Sequence, residues 1–195
     1  MPRNQLEARR GRPRDSRRDE EILTAVLRLL EEVPYADLTM AAIARSAGVG
    51  KPTLYLRWST KASVVTDALV HVLAVEPFPD LGDVRADLVA GLRAMIRLFD
   101  TTPAGRVLPG LVADLHRDHD LIAAFDERYF QPRRASIRCV LRRGIERGEL
   151  PADVDVELVV DALVGPVYYR LLTRPGPIET SADDLVDLVL RGCRG

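Results

Sequence analysis

Apolar side chains recur three and four residues apart along almost the whole chain, and no convincing strand pattern appears. That spacing gathers residues onto one face of a helix, whereas a strand would scatter them over both faces. No hairpin dipeptide and no internal repeat interrupts it. The fold class this dictates is all-α, cut into segments by proline and glycine.

The cuts can be read in order. Residues 1–15 are polar, Arg-rich and without period, as expected for a flexible basic arm. Ser16 with Asp19 looks like a helix start close to a capping box. Ile22, Val26, Leu29, Leu30 and Val33 then form a stripe that Pro34 ends. Thr39 is placed to N-cap a second helix with Met40, Ile43, Ala44 and Ala47 inward, and Gly48 supplies a tight turn. A very short third helix follows over 51–58. Ser59 is the expected cap of a fourth, with Ala62, Val65, Leu69, Val72 and Leu73 facing the core. Glu76-Pro-Phe-Pro-Asp80 marks a break. Beyond it the helical period resumes over about 83–100, 104–116, 119–147, 153–173 and 181–193. The expected organisation is an arm (1–15), a helix-turn-helix unit (16–62) and a helical rear body (63–195).

Charge is divided along the chain. Residues 1–66 hold 12 Lys+Arg against 8 Asp+Glu, which leaves 16 against 21 in the rest. A basic front suits contact with a polyanion, and an acidic rear keeps the body soluble. The two cysteines, Cys139 and Cys193, fit a reducing compartment, and the Arg-rich start is followed by no apolar core of a leader. The most apolar run, Val154 to Tyr169, is cut by Asp155, Glu157 and Asp161, so no membrane span is expected. A cytoplasmic location is the expectation.

The segment from Thr39 to Lys61 carries the chemistry. Two short helices joined at Gly48 make a rod narrow enough for the DNA major groove. Leu54 and Trp58 lie four apart and should face inward, leaving the start of the rod outward. Residues at the N-terminal end of such a second helix meet base edges. Lys51 suits guanine O6/N7, while Pro52 and Leu56 suit a thymine methyl. Thr53, Tyr55, Arg57 and Lys61 suit phosphate oxygens, which set register without reading sequence, and Thr39 is a further DNA-contact candidate.

These residues resemble the TetR family of bacterial transcription regulators. Thr39, Ile43, Ala44, Ala47, Gly48, Val49, Thr53, Leu54, Tyr55 and Lys61 fall on its pattern, and Trp58 takes the position usually held by Phe. Gly50 departs from it, standing where the family usually has Ser. The resemblance covers about residues 16–70. It implies a three-helix DNA-binding domain, a dimerising and ligand-binding all-α rear domain, and repression relieved by a small apolar or amphipathic ligand.

Arg9-Arg10-Gly11-Arg12-Pro13-Arg14 is similar to AT-hook peptides, so Arg10, Arg12 and Arg14 are candidates for the minor groove. A solvated tail giving only phosphate attraction is the alternative. In the rear, helices 153–173 and 181–193 are expected to pair two subunits across a two-fold axis. Leu158, Val159, Ala162, Leu163 and Val167 supply one apolar face, and Leu185, Leu188, Val189 and Leu190 another. Met95, Phe99, Phe125, Tyr129, Tyr168 and Tyr169 are candidate pocket walls, and Gly165-Pro166 is expected to loosen its helix near them. His116 and His119 could share a helix face as metal ligands do, which leaves a metal protein or helical enzyme as an alternative. No phosphate loop or nucleophile elbow supports catalysis, and no cofactor or metal is expected. A DNA-binding regulator without a small-molecule inducer is the other reading.

Overall fold

Helix α1, Ser16–Glu32, buries Ile22, Leu23, Val26 and Leu27 on one face and leaves Leu29, Leu30 and Val33 half-covered. The computed structural model describes residues 16–73, 76–174, 176–178 and 180–193; the arm and its three arginine candidates lie outside them. Among the described residues there are ten α-helices and no strand. No helix of these is long and apolar enough to cross a membrane. Cys139 and Cys193 are not joined by a disulfide.

After a single 3₁₀ turn at Tyr35–Asp37 come α2 (Met40–Ser46) and α3 (Lys51–Tyr55). Thr39 caps α2 as expected, its Oγ1 accepting from the Ala42 amide at 3.1 Å. Gly48 adopts φ +64, a left-handed conformation that a side chain would strain. Helix α4, Lys61–Leu73, begins differently from expectation. Thr60, not Ser59, is the cap: its Oγ1 accepts from the Ser63 amide, and Ser63 Oγ accepts from the Thr60 amide. Asp19 likewise does not complete a capping box but faces Arg57 of the reading unit, Nη1 to Oδ1 at 2.7 Å.

Helix α4 is buried on more than the predicted stripe, with Val64, Thr66 and Ala68 enclosed as well. It is sandwiched between α1 on one side and the rear body on the other, so the expected boundary at 62/63 runs into a helix that both halves share. The rear body continues with α5 (Val84–Thr101), α6 (Pro103–Leu115), α7 (His119–Phe125), α8 (Gln131–Glu146), α9 (Val156–Thr173) and α10 (Ala182–Cys193). The linker 76–83 is pinned by Asp87, a fully buried carboxylate that accepts from the Leu81 amide and from Arg143 Nη2, which also donates to the Pro79 carbonyl.

The expected helix 119–147 runs without a gap from His119 to Glu146 but changes pitch on the way. Between α7 and α8 the backbone widens into a π turn, Asp126–Phe130. Pro132 accounts for it: proline lacks the N–H that would bond to the carbonyl of residue 128, and its ring crowds that carbonyl. Gly165-Pro166, expected to loosen α9, leaves it helical from Val156 to Thr173.

Candidate nucleic-acid interface and the rear body behind it

The reading unit is built from behind. Leu54 is fully enclosed and Trp58 nearly so, both packed into the core that α1 and α4 share. The Trp58 Nε1–H donates to Asp67 Oδ2 at 2.7 Å, which fixes the indole and the end of α3 to α4. With that side anchored, the opposite side of α3 faces out. Lys51 and Pro52 are exposed, Tyr55 is 52% exposed and Leu56 is 86% exposed. An exposed Leu beside an exposed Tyr at the end of so short a helix, one turn from the exposed Lys51 and Pro52, is unusual for a solvated surface and suits a groove. Lys51 forms no ion pair among the described residues.

Gly50 caps α3 with no side-chain hydrogen bond, as the departure from the family pattern implies. Thr53 is half-buried at the edge of the same face, and Thr39 is exposed nearby in sequence with its hydroxyl proton still available to donate.

Two of the expected phosphate clamps are engaged within the chain. Lys61 turns its Nζ onto the Tyr35 carbonyl at 2.8 Å and the Ala36 carbonyl at 3.4 Å, and lies 4.0 Å from the centre of the Tyr35 ring. Arg57 is held by Asp19. Each cation sits where α1 or the 3₁₀ turn, not the outer face, offers oxygen acceptors. Both residues thereby brace the reading unit.

Behind this unit the contacts run into the rear body. Asp67, which holds Trp58, is also ion-paired with Arg128 of the π turn. Tyr35 donates its hydroxyl to Asp118 Oδ2 at 2.6 Å, while Asp118 Oδ1 caps α7 through the Leu121 amide. That hydrogen bond from Tyr35 holds the Asp118 carboxyl below its ordinary value, and burial with the same bond pushes the Tyr35 phenol far up. Glu31 of α1 meets Arg106 of α6 at 2.7 Å.

The expected pocket walls divide. Phe99, Phe125, Tyr129 and Tyr168 come together in one aromatic group, with Phe125 and Tyr129 ring centres 5.0 Å apart and Phe99 and Tyr168 5.7 Å apart. Tyr168 donates to the Tyr129 hydroxyl at 3.0 Å, and burial raises both phenols above their ordinary value. Met95 is fully buried in the same core. Tyr169 is not with them: it is 63% exposed on the far side of α9. Sequence reasoning missed Phe130, whose ring packs against Phe125, Tyr129 and Tyr168. It also missed Arg133, buried at 5% exposure beside Tyr129. The signal was legible, because Phe125, Tyr129, Arg133 and Ile137 share one four-residue spacing, so an arginine stands on an inward stripe.

The last two helices also divide. Val159, Leu163 and Val167 of α9, with Leu185 and Leu190 of α10, close the core of the single chain and are not a free face. A second stripe stays open: Leu158, Tyr169 and Leu172 of α9 and Leu188 of α10 are large apolar residues left exposed. Gly165 lies between them with nothing within 4 Å of where a Cβ would stand. His116 and His119 are both exposed, and no group of three His, Cys, Asp or Glu that could hold a metal ion occurs among the described residues.

A braced short helix with an open cationic and apolar outer face, following a capped helix and a left-handed Gly turn, defines a helix-turn-helix DNA-binding protein. Comparison with known proteins makes the assignment particular. Residues 22–68 match the model of bacterial regulatory proteins of the tetR family, and residues 78–189 match a tetracyclin repressor-like C-terminal domain. The HTH-type transcriptional regulator YdeS of Bacillus subtilis (strain 168) is 35% identical over 191 residues, 97% of this chain and 95% of YdeS. The crystal structure of the TetR family regulator SCO0332 is 40% identical, with a TM-score of 0.68 over 90% of this chain and 97% of that one. FadR from Bacillus subtilis, solved in complex with stearoyl-CoA, shares the fold at 18% identity, with a TM-score of 0.70 over 88% of this chain and 95% of FadR. The chain belongs to the TetR family of bacterial transcription regulators.

Proposed function

We propose that two copies of this chain bind a palindromic operator through α3 and repress transcription until a small apolar or amphipathic effector enters the rear body. The observation that carries the DNA reading is the outer face of α3, where Lys51, Pro52, Tyr55 and Leu56 stand open while Leu54 and Trp58 are buried behind them. Lys51, Pro52 and Leu56 read base edges; Thr39, Thr53 and Tyr55 contact phosphates. Arg57 and Lys61 hold the unit in register from inside. Arg10, Arg12 and Arg14 extend the contact toward an adjacent minor groove.

The open stripe of Leu158, Tyr169, Leu172 and Leu188 pairs with its own copy across a two-fold axis. A palindrome needs two reading heads held one helical turn apart, and such a pairing supplies them. Effector binding among Phe99, Phe125, Tyr129 and Tyr168 displaces the π turn. Asp67 and α4 then carry that displacement to Trp58. Spreading the heads weakens operator binding.

Selection of bound fragments from a random DNA library tests the reading. A palindrome bound by the wild-type chain, and lost on Lys51→Ala with Tyr55→Ala while folding is retained, is the expected result. Unchanged binding by both variants would remove α3 from the interface.

A further inference from the structure

We propose that the effector is an anion, a carboxylate on an apolar body, and that Arg133 is the residue that receives its charge; this rests on the effector reading above. Arg133 stands on α8 one turn beyond the π turn, with only 5% of its surface exposed. Its Nε and Nη2 are buried and have no hydrogen-bond partner, and no carboxylate lies within ion-pair distance of it among the described residues. Other buried or half-buried charges nearby are answered: Asp87 by Arg143 and the Leu81 amide, Arg134 by Glu157 and Asp161.

An unanswered guanidinium is a special case. A buried lysine or carboxylate can shed its charge by changing protonation, but arginine stays charged under all ordinary conditions. Burying a charge without a counter-charge is strongly unfavourable. Two donors of a planar fork left open in an apolar setting match the two oxygens of a carboxylate.

The surroundings supply space for the remainder of such a molecule. Arg133 lines a cavity of about 290 Å³ between α8 and α9, whose apolar walls are Phe130, Val164 and Tyr168. It also lines a second cavity of about 430 Å³ against α5 and the 76–79 linker, walled by Phe78, Gly91, Ala94 and Leu98. Asp126 shares the first cavity, but its two oxygens lie 3.2 Å from Gln131 Nε2, and the group that Arg133 does meet, the Tyr129 ring and hydroxyl, is no counter-charge. These volumes suit a compact molecule with one anionic end. The head group lies at Arg133 and the apolar body against Phe130 and Tyr168, next to the π turn that carries Arg128 and, through it, Asp67.

Calorimetric and thermal-shift titration of the purified full-length protein tests this, with decanoate and naphthoate each set against its primary amide. The acids are expected to raise Tm and to bind at least about tenfold more tightly than the amides. Arg133→Met should abolish that preference, with an unliganded Tm no lower than that of the wild type. Val164→Trp, which fills the α8–α9 cavity and leaves Arg133 in place, should abolish acid binding too. Equal affinity for acid and amide, absence of binding by either acid, or a clear drop in Tm for unliganded Arg133→Met overturns the proposal. Operator release is measured separately. Acid binding through Arg133 that leaves DNA affinity unchanged sustains Arg133 as an anion site and sinks the effector switch. Release by a neutral ligand with no acid binding does the reverse.

Discussion

The Trp58 indole and the Asp67 carboxylate are joined by a 2.7 Å hydrogen bond, and the same carboxylate is ion-paired with Arg128 of the π turn. One acidic side chain on α4 thus holds the back of the reading helix and the edge of the rear body together. Coupling between two sites needs a physical element that both can bias, and in the proposed switch this bridge is that element.

Trp58→Phe keeps one aromatic ring in the core but removes the indole N–H together with part of the buried ring system. The expected loss is at least about 2 kcal/mol of unfolding free energy, the usual worth of a hydrogen bond to a charged partner, with the lost ring volume adding to it. Urea unfolding measures it. Asp67→Asn should lose less at Trp58, because an amide oxygen still accepts, while breaking the pair with Arg128. A stability change confined to Asp67→Asn would detach Trp58 from this bridge.

Gly50→Ser should stabilise the protein by roughly a few tenths of a kcal/mol. Gly50 has φ −70 and ψ 143, which any residue adopts, and a Cβ there would stand 3.7 Å from Pro52 Cδ and 3.9 Å from Thr53 Oγ1. The added hydroxyl caps α3 and offers a phosphate donor, so DNA affinity should rise as well. Thermal melts and gel-shift titration read the two effects independently.

Leu158→Glu and Leu188→Glu place a charge on the open α9–α10 stripe without touching the monomer core. Light scattering is expected to show monomers for each, with operator affinity down at least about tenfold and little change in helix content. Val159→Glu, on the inner face of the same helix, should instead unfold the chain.

Stability should decline in alkali. Burial raises the phenols of Tyr35, Tyr129 and Tyr168 above the ordinary value of 10.0. Above pH 10.0 the folded chain therefore holds protons that the unfolded chain has lost. Their contribution is intact below that pH and disappears as pH rises through the folded values. Urea midpoints followed from about pH 8 to about pH 11 should hold level and then fall. Tyr35→Phe should flatten the fall, and at neutral pH should lower stability because Asp118 loses its donor.

Much of the site was legible because its determinants are local. The burial of Leu54 and Trp58, the Thr39 cap and the left-handed Gly48 each depend on residues within a turn or two, and each stands where the spacing placed it. Ser59 misled because Thr60 and Ser63 cap reciprocally one residue later. The partners that Lys61 and Arg57 have within the chain were not legible, because a sequence exposes charge without exposing partners. Their acceptors, the Tyr35 carbonyl and Asp19, lie far off along the chain.

By itself the sequence determined the helices, the open reading face and the family, since periodicity, caps and a contiguous motif are all short-range properties. Only the tertiary structure decided which face of α9 stays open, where Tyr169 points, that Asp67 joins Trp58 to Arg128, and that Arg133 is buried without a counter-charge. Those outcomes depend on which helices lie against one another. Packing pairs residues many turns apart, and no local spacing encodes that choice.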